Sequence, residues 1–182
     1  MVVAGLLFLA LAYLAVGQAG ANRNGAQTAA DAAALAAALD TRDQLTDEWT
    51  RIVRDPTKWQ AVFHATDAVF GGCERAKQLA AQNDAKLGPC GRADGPLPGY
   101  TVRVETTKAV GDSIVPGTEN MHAKATATAV IEPACTFELP GTGPADATLP
   151  ALTCDDGEWH PDPEHPADLP GPEDLFDVHL AD

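Results

Sequence analysis

The sequence predicts an α+β protein: a long, membrane-anchored N-terminal helix followed by a small helical and antiparallel-sheet body, extracytoplasmic and closed by two disulfides. Three observations predict it. No proline occurs before Pro56, and an uncharged run there passes into an alanine-rich one. Residues 100–105 and 121–132 alternate in the manner of strands, and four cysteines follow the helix without any C-x-x-C pair. Helical and strand periodicities in separate parts of one chain are the mark of an α+β architecture.

The first element is Val2 to Val16, VVAGLLFLALAYLAV, uncharged and slightly short of the ~18–20 residues that span a hydrocarbon core. Two readings compete for it. A cleaved signal peptide fits the small residues around Gly17 to Ala21 but lacks a basic residue ahead of the apolar core. A retained anchor explains why the run continues into helix-forming sequence with no turn signal, and it is the favoured reading. The abrupt apolar start at Met1 suggests a segment that begins further upstream.

Alanine has the highest intrinsic helix propensity, so GAQTAADAAALAAAL, Gly25 to Leu39, continues the helix. A helix from the apolar run to Leu39 measures roughly 55 Å, with Gly17, Gly20 and Gly25 as places to bend. Thr41 to Arg54 reads as a separate amphipathic helix carrying Leu45, Trp49, Ile52 and Val53 at helical spacing. Pro56 opens another with Trp59, Val62 and Phe63, and Gly71-Gly72 separates it from a third, Cys73 to Leu87.

GRADGPLPG, residues 91–99, is a loop. Tyr100, Val102 and Val104 then alternate with Thr101, Arg103 and Glu105 as a strand. A second strand is expected from Met121 to Glu132, its alanines at 123, 125, 127 and 129 on one face, joined to the first through the turn-rich GDSIVPGTEN as an antiparallel hairpin. Cys135 to Leu139 is a candidate third. Sequence allows three pairings of Cys73, Cys90, Cys135 and Cys154. The sequence-local one is preferred, each bond closing a loop worth roughly 3 kcal/mol in the chain-entropy model. The chain divides into 1–18, transmembrane; 19–55, alanine-rich and amphipathic helix; 56–154, α+β body; and 155–182, an acidic proline-rich tail, disordered or lying on the body as a ribbon.

The net charge of -14 is concentrated in that tail, since residues 151–182 hold ten acids and no Lys or Arg. With no basic cluster, nucleic acid is excluded as a partner. His160, His165 and His179 lie near Glu158, Asp162 and Glu164, but no pair has helical i, i+4 spacing and the prolines oppose a preformed metal site. A solvated tail is expected, with no metal or cofactor. No nucleotide-loop, nucleophile-elbow or zinc-protease motif occurs, and the one serine, Ser113, falls in the hairpin loop. The expectation is a protein with no catalytic residue.

Read by fours, Gly17, Ala21, Gly25, Ala29, Ala33 and Ala37 form a small-residue ladder that would let another helix approach closely, with Arg23, Gln27 and Asp31 along its edge. On this reading, Ala29→Leu with Ala33→Leu disrupts assembly while the soluble body stays folded. The apolar run followed by GQAGANRNGAQTAADAAALAAAL resembles the N-terminal region of TadE/TadG-like proteins of tight-adherence (Flp/Tad-type) pilus assembly. The resemblance covers about residues 1–40. It implies a pilin-like, non-enzymatic assembly component anchored in the cell membrane by a single helix, its body outside the cytoplasm and other pilus subunits as partners. Some members carry a prepilin-peptidase site with Glu at the fifth apolar position. Here LLFLA follows Gly5, and no Glu precedes Glu48. The alternative is a secreted soluble binding domain released after cleavage near Ala19 or Ala21.

Overall fold

In the computed structural model a single helix, α1, runs from Val2 to Ile52, 51 residues, or about 77 Å at the α-helical rise. The structure describes residues 2–66, 71–109, 120–139 and 149–181, without the side chains at 14–16, 18 and 19. The expected break between Leu39 and Thr41 is absent, and Gly17, Gly20 and Gly25 remain inside the helix. With no proline until Pro56, nothing in the backbone stops propagation. Beyond a 3-10 turn at Pro56–Lys58 come α2, Trp59–Phe63, and α3, Cys73–Gln82.

The third helix is shorter than expected. It ends at Gln82, where the Asn83 side chain donates to the Leu79 carbonyl at 2.9 Å and Asp84 turns to φ 54°. That left-handed residue reverses the chain. Residues expected to finish the helix and open the following loop instead form β1, Ala85–Arg92. Then follow β2, Gly99–Thr106; β3, Lys124–Pro133; β4, Cys135–Phe137; β5, Leu152–Cys154; β6, Gly157–Trp159; a short helix α4, Pro172–Leu175; and β7, Phe176–Leu180.

Two antiparallel sheets result, one ordered β1-β2-β3-β7 and one β4-β5-β6. The expected hairpin is present, with Val102 opposite Ala127 and Val104 opposite Ala125. Most of its connecting loop, Ser113 included, lies outside the described residues. The tail does not stay apart from the body: β7 pairs with β3, Phe176 opposite Pro133 and Leu180 opposite Ala129. Both local disulfides form, Cys73–Cys90 fastening the start of α3 to β1 and Cys135–Cys154 joining β4 to β5.

The core lies between α1 and the larger sheet. Tyr100, Val102, Val104, Ala129, Ile131 and Phe176 point inward from the strands, and α1 meets them with Ala26, Ala29, Ala30, Ala33, Ala34, Ala37 and Ala38, all fully buried. Further along, the same helix presents Leu45 and Trp49. Trp49 packs edge-on against Trp59 with ring centroids 5.5 Å apart, and the aromatic cluster continues through Phe137, Phe63 and Phe176. Small side chains therefore let helix and sheet close up at one end, while large ones fill the wider gap at the other. The start of α3 also closes tightly on this helix: an added Cβ at Gly72 would lie 2.3 Å from the Ala37 carbonyl oxygen.

The part of α1 after Ala26 is a layer of the body, because the sheet has no other helix long enough to cover its apolar face. We predict that Ala33→Leu and Gly72→Ala each destabilise the body by about 1–3 kcal/mol through overpacking, whereas Ala21→Leu, at an exposed position, changes it by less than about 0.5 kcal/mol. Denaturant unfolding followed by near-ultraviolet circular dichroism distinguishes them.

Candidate functional site

Helix α1 has two surroundings along its length, and the change falls near Ala26. From Val2 to Tyr13 its large apolar residues are bare: Val2 is 78% exposed, Phe8 66% and Tyr13 82%. Leu6, Leu7, Leu9 and Leu11 are exposed as well. An isolated helix with apolar groups on every face is unfavourable in water, so this end requires an apolar surrounding from outside the body. Among the described residues, no helix is long and apolar enough to cross a membrane.

The small-residue ladder divides at the same place. Gly17, Ala21 and Gly25 are exposed, and a Cβ placed on either glycine meets nothing within 4 Å. Ala29, Ala33 and Ala37 are fully buried beneath the chain's own strands. The geometry of the helix explains the split. A step of four residues advances about 40° past a full turn, so the five steps from Gly17 to Ala37 carry the ladder to the opposite side of the helix. The expectation that Ala29→Leu with Ala33→Leu would spare the body is therefore reversed, since both positions are core. Asp31 lies at the boundary, where its carboxylate accepts a 2.8 Å hydrogen bond from the Gln27 amide.

The buried polar contacts that set the helix against the body were not apparent in the sequence. The Thr41 and Tyr100 hydroxyls are 2.9 Å apart, and the Tyr100 oxygen also accepts the Gly72 backbone N–H at 2.9 Å. One phenol thus fixes α1, β2 and the start of α3 together. Nearer the exposed end, the Asn22 amide donates to the Ala109 carbonyl at 3.4 Å, the outermost hydrogen bond between α1 and the hairpin among the described residues. The residues to look for were a tyrosine on the inward face of a strand and a hydroxyl one turn beyond the alanines.

Elsewhere the ionisable groups pair locally. His165 lies 2.7 Å from Asp162, His179 2.9 Å from Asp177 and His160 3.7 Å from Glu158, three separate pairs rather than one cluster. Among the described residues no group of three could hold a metal ion. The His165 hydrogen bond, helped by the Glu164 backbone N–H, holds the Asp162 carboxyl below its ordinary value. A hydrogen bond from Thr57, with Lys58 alongside, does the same for Asp55. Depressed carboxylates favour the folded state at neutral pH and lose that contribution as pH falls through their lowered values. Arg54 reaches Glu164 at 2.7 Å and ties the tail to the segment just beyond α1.

With this geometry in view, comparison with known families is decisive for one segment. Residues 1–40 match the family model "Putative Flp pilus-assembly TadE/G-like". The N-terminal forty residues are similar to TadE/G-like proteins. No curated protein and no solved structure matches the chain. The TadE/G-like segment is no self-contained module here, because its first half is the exposed apolar helix and its second half supplies the alanine core. We expect Tyr100→Phe, which strands the Gly72 N–H in the interior, to destabilise the protein by about 1–3 kcal/mol. An unchanged unfolding midpoint would remove this contact from the account.

Proposed function

We propose that the protein is a non-enzymatic structural component of a Tad-type pilus or secretion assembly, held at the cell membrane by α1 with its body on the extracytoplasmic side. The observation that carries the reading is the coincidence of the TadE/G-like match with the bare apolar helix. The uncharged sequence continues beyond the most apolar stretch as far as Asn22, the first charge being Arg23. Helix to that depth measures roughly 33 Å, comparable with a hydrocarbon core. Two disulfides in a body of this size suit an oxidising compartment.

Gly17, Ala21 and Gly25 lie just before the body begins, on the part of the helix that its own sheet leaves open. There a helix from a neighbouring pilus component can approach closely, with dispersion contacts rather than large side chains holding the pair. The body would then be displayed next to the membrane, its first described tie to α1 at Asn22.

Leu7→Arg with Leu11→Arg tests the anchor. Each arginine near the middle of an inserted helix costs about 2.5–3.5 kcal/mol on insertion scales, and both positions are clear of the core. The variant is expected to leave the membrane fraction with both disulfides formed. Retention in the membrane fraction contradicts the anchor, as does an intact mass showing loss of about twenty residues with release to the medium.

A further inference from the structure

Among the described residues, the open edge of the larger sheet is a surface that neither the helix nor the family reading accounts for. Strand β7 forms that edge, and the direction of its backbone follows from two ladder contacts: the Ala181 N–H donates to the Thr128 carbonyl, and the Ala134 N–H donates to the Leu175 carbonyl. In an antiparallel ladder the residues alternate, so 177 and 179 turn their N–H and C=O groups toward β3. Phe176, Val178 and Leu180 turn theirs outward. The Phe176 N–H is taken by the Pro172 carbonyl at the end of α4. Among the described residues, no other hydrogen bond meets the outward groups of Val178 and Leu180.

The opposite edge, β1, differs. Its register shifts between Leu87 and Cys90, a stretch that contains Pro89, and Cys90 is bonded to α3. Bulges and prolines are how sheets block an edge, and β7 has neither.

We propose that β7 is a docking edge for a second copy of this chain, the two strands pairing antiparallel about Val178. The strand Phe-Asp-Val-His-Leu is complementary to its own reversal. Pairing about Val178 sets Asp177 of each copy opposite His179 of the other, and Phe176 opposite Leu180. The two Asp-His crossings match acid with base on the exposed face of the sheet, where opposite charges across strands are favourable. Asp177 already holds its own His179 imidazole at 2.9 Å and faces the Glu132 carboxylate on β3, so each crossing adds a second imidazole beside two carboxylates. On the other face, Leu180, 37% exposed in the single chain, is covered by the strand of the other copy, while the Phe176 ring stays in its own core. The outward groups supply four backbone hydrogen bonds: Val178 N–H to Val178 C=O in both directions, and each Leu180 N–H to the Phe176 C=O of the other copy. A two-fold contact of this kind is closed, so it yields a dimer with one continuous sheet rather than a filament. This pairing joins bodies, and it stands independently of the role proposed for α1.

The test uses the full chain in nonionic detergent. Asp177→Cys and His179→Cys are made separately and oxidised alone and as a mixture. A non-hydrogen-bonded cross-strand pair brings the two Cα atoms to about 4.5 Å, within disulfide reach. The mixture is expected to give a covalent dimer, with peptide mapping placing the bond between 177 and 179, and each variant alone is expected to give none. Adding Val178→Pro, or Leu180→Pro, removes an outward N–H without touching the ladder to β3, and loss of the mixed dimer is expected while both native disulfides and the circular dichroism remain. No mixed dimer, equal yields from the single variants, or a yield unaffected by both prolines overturns the proposal. Association through α1 would persist in the proline variants, so the two kinds of contact are read separately.

Discussion

The distance between α1 and the larger sheet is the constraint on which the rest of the structure depends. Seven fully buried alanines form the side of α1 turned to the body, and the start of α3 closes on the same helix where Gly72 presses on the Ala37 backbone. At Gly72 not even a methyl group fits without moving one element away from the other. Tyr100 then reaches across with its hydroxyl, and Cys73, next to Gly72, fastens the start of α3 to β1. At the far end the spacing opens, and five aromatic rings fill it. Alanine is therefore used here for its size, with helix propensity as a second benefit.

Because one uninterrupted helix forms both this layer and the bare apolar end, the two are mechanically joined. Residues 2–25 continue into the core as one α-helix without interruption. That continuity suits a structural component whose body must be held at a fixed angle to whatever surrounds its apolar end. The TadE/G-like match ends at residue 40, partway along α1. It covers the anchor-like segment and the alanine layer, and the strands packed on that layer lie beyond it.

Much of the architecture was legible in local patterns. The hairpin followed from strict alternation over residues 100–105 and 123–130, and the disulfides followed from cysteines placed in two separate local pairs. Other features depended on tertiary contacts that no local pattern carries. Cys73 to Leu87 has helical composition throughout, yet Asp84 takes a left-handed conformation and Ala85 onward is drawn into the sheet by pairing with β2. The tail's composition left open whether it is disordered or lies on the body as a ribbon; Leu175 and Phe176 bury completely and bring β7 onto β3. The ladder spaced by fours drifts around the helix, so Ala29, Ala33 and Ala37 are buried in the chain's own body while Gly17, Ala21 and Gly25 stay exposed. That division is recognised only when strand and helix faces are considered together. The phenol contact among Thr41, Tyr100 and Gly72 joins residues far apart in sequence and left no periodic trace.

The most direct test of the central claim is a pair of truncations, one chain beginning at Gly25 and the other at Asp40, each refolded oxidatively and unfolded in denaturant. If the alanine segment is a layer of the body, the first unfolds cooperatively at the midpoint of the full chain. The second, deprived of the methyl groups that cover Val102, Val104 and Ala129, shows no cooperative transition. A cooperative transition in the chain from Asp40, at a midpoint close to that of the full protein, would contradict the account.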